Sequence, residues 1–359
     1  MIRPWRVVLF AVLPLCLCAS LQAQTYFAYV ASESADEVSL VAFEPGRGAW
    51  VEKTIAVGFW PAEMEAPHGL YMAPDGEHWY LTLGHGMPLY GQLLKYRTGV
   101  DTLEGNMELG LFPATLAVSP GGLVFAVNAN FHGEHVPSTV SVVDAASMIE
   151  IDQIETCTMP HGSRLGPDGA KHYSGCMMDD RLVEIDVTSL EVSRTLSVGP
   201  GMHPGHSGGG EAQCSPTWAA PSPDGQFVYV PCNRRDEVLE VDREAWRVTR
   251  RFASPKAPYN ADVTPDGRRL IVTQKGSGEV SVWDLPSGRR VALITNTRRV
   301  THGIAIPPDG RYAFISVEGV GGEPGAVDVI DLGSLEKVAS VDVGKQAGGI
   351  VFWKTVARP

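Results

Sequence analysis

Three histidines occupy one repeated position. His68, His161 and His302 are each followed by glycine, and each opens a hydrophobic stretch that runs into Pro-Asp-Gly at Pro74-Asp75-Gly76, Pro167-Asp168-Gly169 and Pro308-Asp309-Gly310. Two more, His203 and His206, are separated by two residues in the insertion 199–211. The glycine and proline content of that insertion forbids regular structure, and loops of this kind inside compact domains are often functional. Imidazole is the commonest metal ligand, and thioether sulfur favours copper among first-row metals. The chemistry these residues point to is transition-metal binding, by copper or another ion, with the insertion placed to clamp or cover a ligand. A structural role is the alternative: the histidine bonds a neighbouring repeat, and the glycine lets two backbones approach closely.

The elements that must position these side chains are repeats. Hydrophobic stretches begin near His68, Ala114, His161, Thr217, Tyr259, His302 and Ala347, and a proline-glycine turn follows all but the last. After each turn comes a strand rich in aromatic and β-branched residues, then a polar loop, then an alternating strand such as Val280-Ser281-Val282-Trp283-Asp284, then a fourth. Period-two alternation at these intervals predicts antiparallel strands. Four strands in a unit of about 40–45 residues predict the blade of a β-propeller. The N-terminus supplies strands two, three and four of a blade, and Gly348-Gly349-Ile350-Val351-Phe352-Trp353 supplies a first strand without successors. Joined, they complete a seventh blade and hide the sheet edges. The fold class expected is all-β, a seven-bladed propeller over residues 24–359 closed by its own ends.

The repeats resemble the YVTN-type repeats of seven-bladed propellers, most clearly at Ala117-Val118-Ser119-Pro120-Gly121-Gly122-Leu123-Val124-Phe125-Ala126-Val127-Asn128 and Val327-Asp328-Val329-Ile330-Asp331. The resemblance spans essentially the whole chain after residue 23. It takes in surface-layer repeats, lactonase-like proteins and haem d1 domains, and is specific for fold rather than function. It implies that first strands line a central channel. It also implies that the loops leading into first strands, and those between second and third strands, share one face. On that layout His78 and His172 lie at the opposite face, and the other eight of the ten histidines lie together. Those eight are His68, His161, His302, His203, His206, His85, His132 and His135. Met64, Met87, Met159, Met177, Met178 and Met202 map to the same face. Because His68, His161 and His302 belong to repeats one, three and six, a compact site needs a narrow channel or help from His206, His132 or His85. Arg164, on an expected inner strand, and Arg234 and Arg235 could hold an anion. Face carboxylates include Glu63, Glu65, Glu134, Asp179, Asp180, Glu211, Asp236 and Glu318, most of them expected to be solvated. The aspartates that end third strands (Asp144, Asp186, Asp242, Asp284, Asp331) read as turn formers.

Residues 1–23 read as a secretory signal: Arg3 and Arg6, an apolar run over 7–17, then small residues up to Ala23. A periplasmic or secreted, monomeric product is expected. No later segment approaches the ~20 apolar residues of a spanning helix. The formal charge of −12 becomes two units more negative without Arg3 and Arg6, which argues against nucleic acid and anionic lipid as partners. Four cysteines remain. Folding the hairpins about their turns brings Cys157 near Cys176 and Cys214 near Cys232, and two disulfides suit an exported chain. Left reduced, Cys157 and Cys176 with His161 would make a thiolate-imidazole metal site instead. No His-Glu-x-x-His helix or phosphate loop is present, and no Cys-x-x-Cys-His attaches a haem. The expected function is therefore binding of a metal or small ligand at the channel mouth. A lactonase-like hydrolase or redox enzyme at the same face, and a platform for protein partners, are the alternatives.

Overall fold

A strand whose two faces are both apolar needs a sheet on each side. In Gln24–Ser32, Tyr26, Ala28 and Val30 enter one core cluster, while Tyr29 and Ala31 enter another. The computed structural model, which describes residues 24–60, 62–85, 90–199 and 212–357, meets this need with seven four-stranded antiparallel sheets packed face to face in a closed ring. The expected leader 1–23 lies outside the described residues. Among those described, no helix is long and apolar enough to cross a membrane.

Six inner strands follow one another along the chain. They are Pro67–Met72 in blade one, Pro113–Val118 in two, Pro160–Leu165 in three, Ala220–Pro221 in four, Pro258–Val263 in five and Val300–Ala305 in six. The closing blade takes its inner strand from Ala347–Ala357 and its others from Gln24–Ser32, Glu37–Glu44 and Gly48–Ala56, with Tyr29 opposite Val351. This is the closure expected from the chain ends. Blade four pairs least at its inner edge, because Pro216 and Pro221 have no N–H to give a ladder.

The hairpins use the chemistry that their sequence announced. Gly76, Gly169, Gly225, Gly267 and Gly310 all have φ between +65° and +71°, a region glycine enters without a Cβ penalty. The preceding aspartate accepts the backbone N–H two residues on, as in Asp75 with Glu77 (2.9 Å) and Asp309 with Arg311 (3.1 Å). The third-strand aspartates are turn formers too: Asp186 accepts from Thr188 and Ser189 N–H, each at 2.9 Å.

Cores lie between blades. Tyr29 of the closing blade stacks on Trp79 of blade one (5.3 Å), and both donate to the buried Asp101 carboxylate, at 2.7 and 3.0 Å. Cys157, on the outer strand of blade two, is bonded to Cys176 of blade three, and Cys214 to Cys232. The reduced thiolate alternative therefore falls. Replacing Cys157 and Cys176 together by alanine is expected to lower the unfolding free energy by about 3 kcal/mol, the chain-entropy value for a loop of this length. Urea denaturation without reductant measures it, and an unchanged midpoint would contradict the bridge.

Candidate metal centre

One residue at or near the start of each inner strand occupies the same repeat position at the channel. In ring order from the closing blade it is Gly348, His68, Ala114, His161, Thr217, Tyr259 and His302. Seven large side chains could not share that circle. The small residues Gly348, Ala114 and Thr217 leave room for four rings to converge. His68 lies 5.5 Å from His302 and 5.9 Å from His161, centroid to centroid. Tyr259 lies 4.7 Å from His302 and 5.5 Å from His161. The channel is narrow here, so histidines from non-adjacent blades meet.

The backbones are locked edge to edge at this level. Thr115 Oγ1 donates to His161 O (2.5 Å), Thr217 Oγ1 to Tyr259 O (2.6 Å) and Thr273 Oγ1 to His302 O (2.9 Å). The glycine of each His-Gly pair makes that approach possible. At the equivalent Gly349 of the closing blade, a Cβ would fall 2.1 Å from His68 O.

The imidazoles are not equivalent. His68 Nδ1 lies 2.6 Å from Ala114 O. A carbonyl only accepts, so Nδ1 carries the hydrogen and Nε2 keeps its lone pair. That Nε2 faces Glu33 Oε1 at 3.4 Å. His161 is satisfied at both ends: Nδ1–H donates to Thr217 O at 2.8 Å, and Nε2 accepts from Tyr259 OH at 3.1 Å. His302 is buried, and its Nδ1 has no hydrogen-bond partner among the described residues. Glu33, His68 and His302 each offer a ligand atom, all within 4.8 Å of one another. The Glu33–His68 separation already matches the edge of a tetrahedron with 2.0–2.1 Å bonds, about 3.4 Å.

Glu33 comes from a short 3-10 turn, Glu33–Ala35, between the second and third strands of the closing blade. The C-terminal segment aims it. Gln346 Nε2 donates to Glu33 Oε2 (2.7 Å), Glu33 N–H donates to Gln346 O (3.0 Å), and Ser34 Oγ donates to Gln346 Oε1 (2.6 Å). Ring closure thus orients a candidate ligand. Lys275 lies beside the group, its Nζ 2.9 Å from Glu318 Oε1 and 4.4 Å from the centre of the Tyr259 ring.

Burial dominates the electrostatics. It lowers His68 to about 4 and His161 to about 3, and His302 falls well below its ordinary value, with Lys275 and the other imidazoles adding to the effect. All three are neutral near pH 7, the form that binds metal. Burial, with Glu318 nearby, pushes the Glu33 carboxyl up to about 8, against the pull of Lys275. For Lys275, burial favours the neutral amine, but Tyr259, Glu318 and Glu33 outweigh it and raise the group above its ordinary value. Lys275 pairs with Glu318, so ionised Glu33 would leave one negative charge uncompensated. A divalent cation would answer that deficit and would displace a proton on binding.

The other expected site residues are distributed as follows. His85 and His132 stack at 5.0 Å, exposed on the rim of the bowl of about 590 Å³ above the constriction, against Phe112. His135 is exposed on the same loop as His132, and Met159 is half-buried ahead of blade three. Arg164 lies in the chamber beyond the constriction. His203, His206 and Glu211, with Met87 and Met202, lie outside the described residues. Two carboxylates expected in solvent are buried instead. Glu65 accepts from Phe59 and Trp60 N–H, and Asp180 accepts from Gln213, Cys214 and Ser215 N–H, so both are loop anchors. Glu33 and Lys275 went unnoticed in the sequence. Their place between second and third strands, already assigned to the mouth face, was the available signal.

Seven four-stranded blades around a histidine-lined channel define the class: a seven-bladed β-propeller. No family model and no curated protein matches the chain. Among solved structures it is similar to Kuenenia stuttgartiensis hydrazine synthase, at 21% identity over 77% of this chain and 82% of that one, with a TM-score of 0.60. It is also similar to a functionally unknown protein from Desulfotomaculum acetoxidans, at 14% identity over 91% and 98%, with a TM-score of 0.69. At these identities the likeness speaks for the fold alone.

Proposed function

We propose that this chain is an exported propeller of the YVTN repeat type that binds one divalent transition-metal ion at the mouth of its channel, through Glu33, His68 and His302. The observation that carries the reading is the convergence of these three ligand atoms within 4.8 Å. The outer contacts support it. His68 gives its Nδ1–H to a backbone carbonyl, and Glu33 is held by a side-chain amide, outer contacts of the kind that orient metal ligands. Two imidazoles and one carboxylate suit Zn(II), Fe(II) or Cu(II). The two disulfides favour an oxidising compartment outside the cytoplasm.

A second reading, a hydrolase of the lactonase-like kind, is favoured by one feature. Three protein ligands leave coordination positions open toward the bowl, where a metal would lower the pKa of a bound water. Tyr259 and Lys275 would then border the substrate.

Metal analysis tests the first reading. Tag-free protein, stripped with EDTA and titrated separately with Zn(II), Cu(II) and anaerobic Fe(II), is expected to take up one equivalent of at least one of them. The His68→Ala/His302→Ala variant is expected to take up none at that site. Equal uptake by the variant would place any bound metal elsewhere, with His203 and His206 the next ligands to replace. Hydrolysis of a lactone panel with and without chelator addresses the second reading.

A further inference from the structure

Beyond the histidine constriction the channel opens into a second chamber of about 290 Å³. Three residues after His161 comes Arg164, and three after Tyr259 comes Asp262, so both lie one layer deeper on their inner strands. The equivalent residue of the intervening blade four is Ala220, too small to fill the gap. No ion pair joins the two charges. Arg164 Nη1 donates to Ser163 O at 3.0 Å, and Asp262 Oδ1 accepts from Val263 N–H at 2.9 Å.

Two uncharged residues that line the same chamber carry an unpaired buried atom. Trp218 Nε1–H and Asn260 Oδ1 have no hydrogen-bond partner among the described residues, although the two side chains are only 6% and 2% exposed. Buried polar atoms in native proteins are nearly always paired, so each calls for an explanation. Their arrangement is polar in a definite sense. The donors, Arg164 and Trp218, belong to blades three and four, with the guanidinium 5.1 Å from the indole ring centre. The acceptors, Asp262 and Asn260, share one strand of blade five. Leu116, Ile304 and Ile350 contribute apolar wall. A smaller depression among the hairpin residues Pro167, Pro221 and Pro223 shares Arg164 and Asp262, and so gives the chamber a side facing away from the metal triad.

We propose that this chamber binds a small zwitterion with an apolar tail, of the α-amino acid class. Its carboxylate would meet Arg164 and its ammonium Asp262, with Trp218 and Asn260 beside them, and its tail would lie on the aliphatic wall. A ligand bearing one charge would leave the opposite end of the chamber unpaired, and a buried group without its partner weakens binding strongly. The burial that disfavours an ionised Asp262, against the pull of Arg164 and of Val263 N–H, is the environment an ammonium would relieve.

Calorimetric titration of the whole protein tests this with L-leucine, 4-methylpentanoate, which lacks the ammonium, and 3-methylbutylamine, which lacks the carboxylate. Leucine is expected to bind, and each analogue at least tenfold more weakly. Arg164→Gln should weaken leucine at least tenfold while leaving 3-methylbutylamine within threefold. Asp262→Asn should weaken leucine similarly while sparing 4-methylpentanoate. Near-UV circular dichroism checks that both variants fold, and the isosteric Asp262→Asn carries the test if Arg164→Gln does not. No heat with leucine up to about 10 mM, tenfold above a Kd of about 1 mM, overturns the proposal. So do equal affinities for the three compounds, or leucine binding that Asp262→Asn leaves unchanged. All titrations are run in EDTA, so failure here leaves the metal reading standing, and failure of the metal reading leaves this one standing.

Discussion

Glu33→Gln is expected to weaken zinc binding by about a hundredfold or more, and Gln346→Ala by about ten- to a hundredfold, the range seen when an outer contact of a metal ligand is removed. The two changes act on one carboxylate by different routes. Glutamine keeps the size of Glu33 and its place in the 3-10 turn but removes the charge, and an amide oxygen is a poor ligand for zinc beside a carboxylate. Alanine at 346 leaves the charge and removes the amide that fixes Oε2 at 2.7 Å, so Oε1 is no longer held 3.4 Å from His68 Nε2. Competition with a chromophoric chelator reads both affinities, and thermal melts of the stripped proteins separate loss of metal from loss of fold. Unchanged affinity in Glu33→Gln would take the carboxylate out of the site. Equal affinity of Gln346→Ala and the native chain would show that the Gln346 amide has no part in orienting it.

The blades were legible because their rules are local. Pro-Asp-Gly names its own turn: the glycine takes the positive φ and the aspartate caps the reversal within a few residues. The half-blades at the two ends could be joined on paper because each lacks what the other has. His68 and His302 were legible as a pair for the same reason, since a repeated position in a ring is a shared height in a channel. Distance across the channel was the missing quantity. It depends on the residues that are small at that height, and Gly348, Ala114 and Thr217 carry no chemical signal of their own. Glu33 was harder still. It stands in an unremarkable Ser32-Glu33-Ser34 turn, and its orientation depends on Gln346, a partner 313 residues away. His161 shows the converse. Its sequence context matches that of His68, yet Tyr259 and Thr217 occupy both its nitrogens, a pairing set by which residues happen to face it around the ring.

His172 sets a large expected effect on acid stability. It is fully buried in blade three with its ring on Phe125 of blade two, 5.2 Å centre to centre and 20° from parallel. Neither nitrogen has a partner among the described residues. Burial alone lowers it to about 3. In the unfolded chain a histidine takes up its proton near 6.5. Below that pH the unfolded state binds a proton that the native state refuses, so stability is whole above about 6.5 and falls as the pH drops toward 3. The slope is about 1.4 kcal/mol per pH unit for one such group. His68 and His161, lowered by burial at the constriction, act in the same direction, so acid unfolding should be steep. His172→Leu isolates one share. Leucine is close in volume and has nothing to protonate or satisfy. Whatever packing offset it introduces is the same at every pH, so the informative quantity is the difference between pH 8 and pH 4.5. That difference in unfolding free energy, from urea titrations, should shrink by about 2–3 kcal/mol in the variant. An unchanged difference would mean that the native protein already accommodates a charged imidazole between blades two and three.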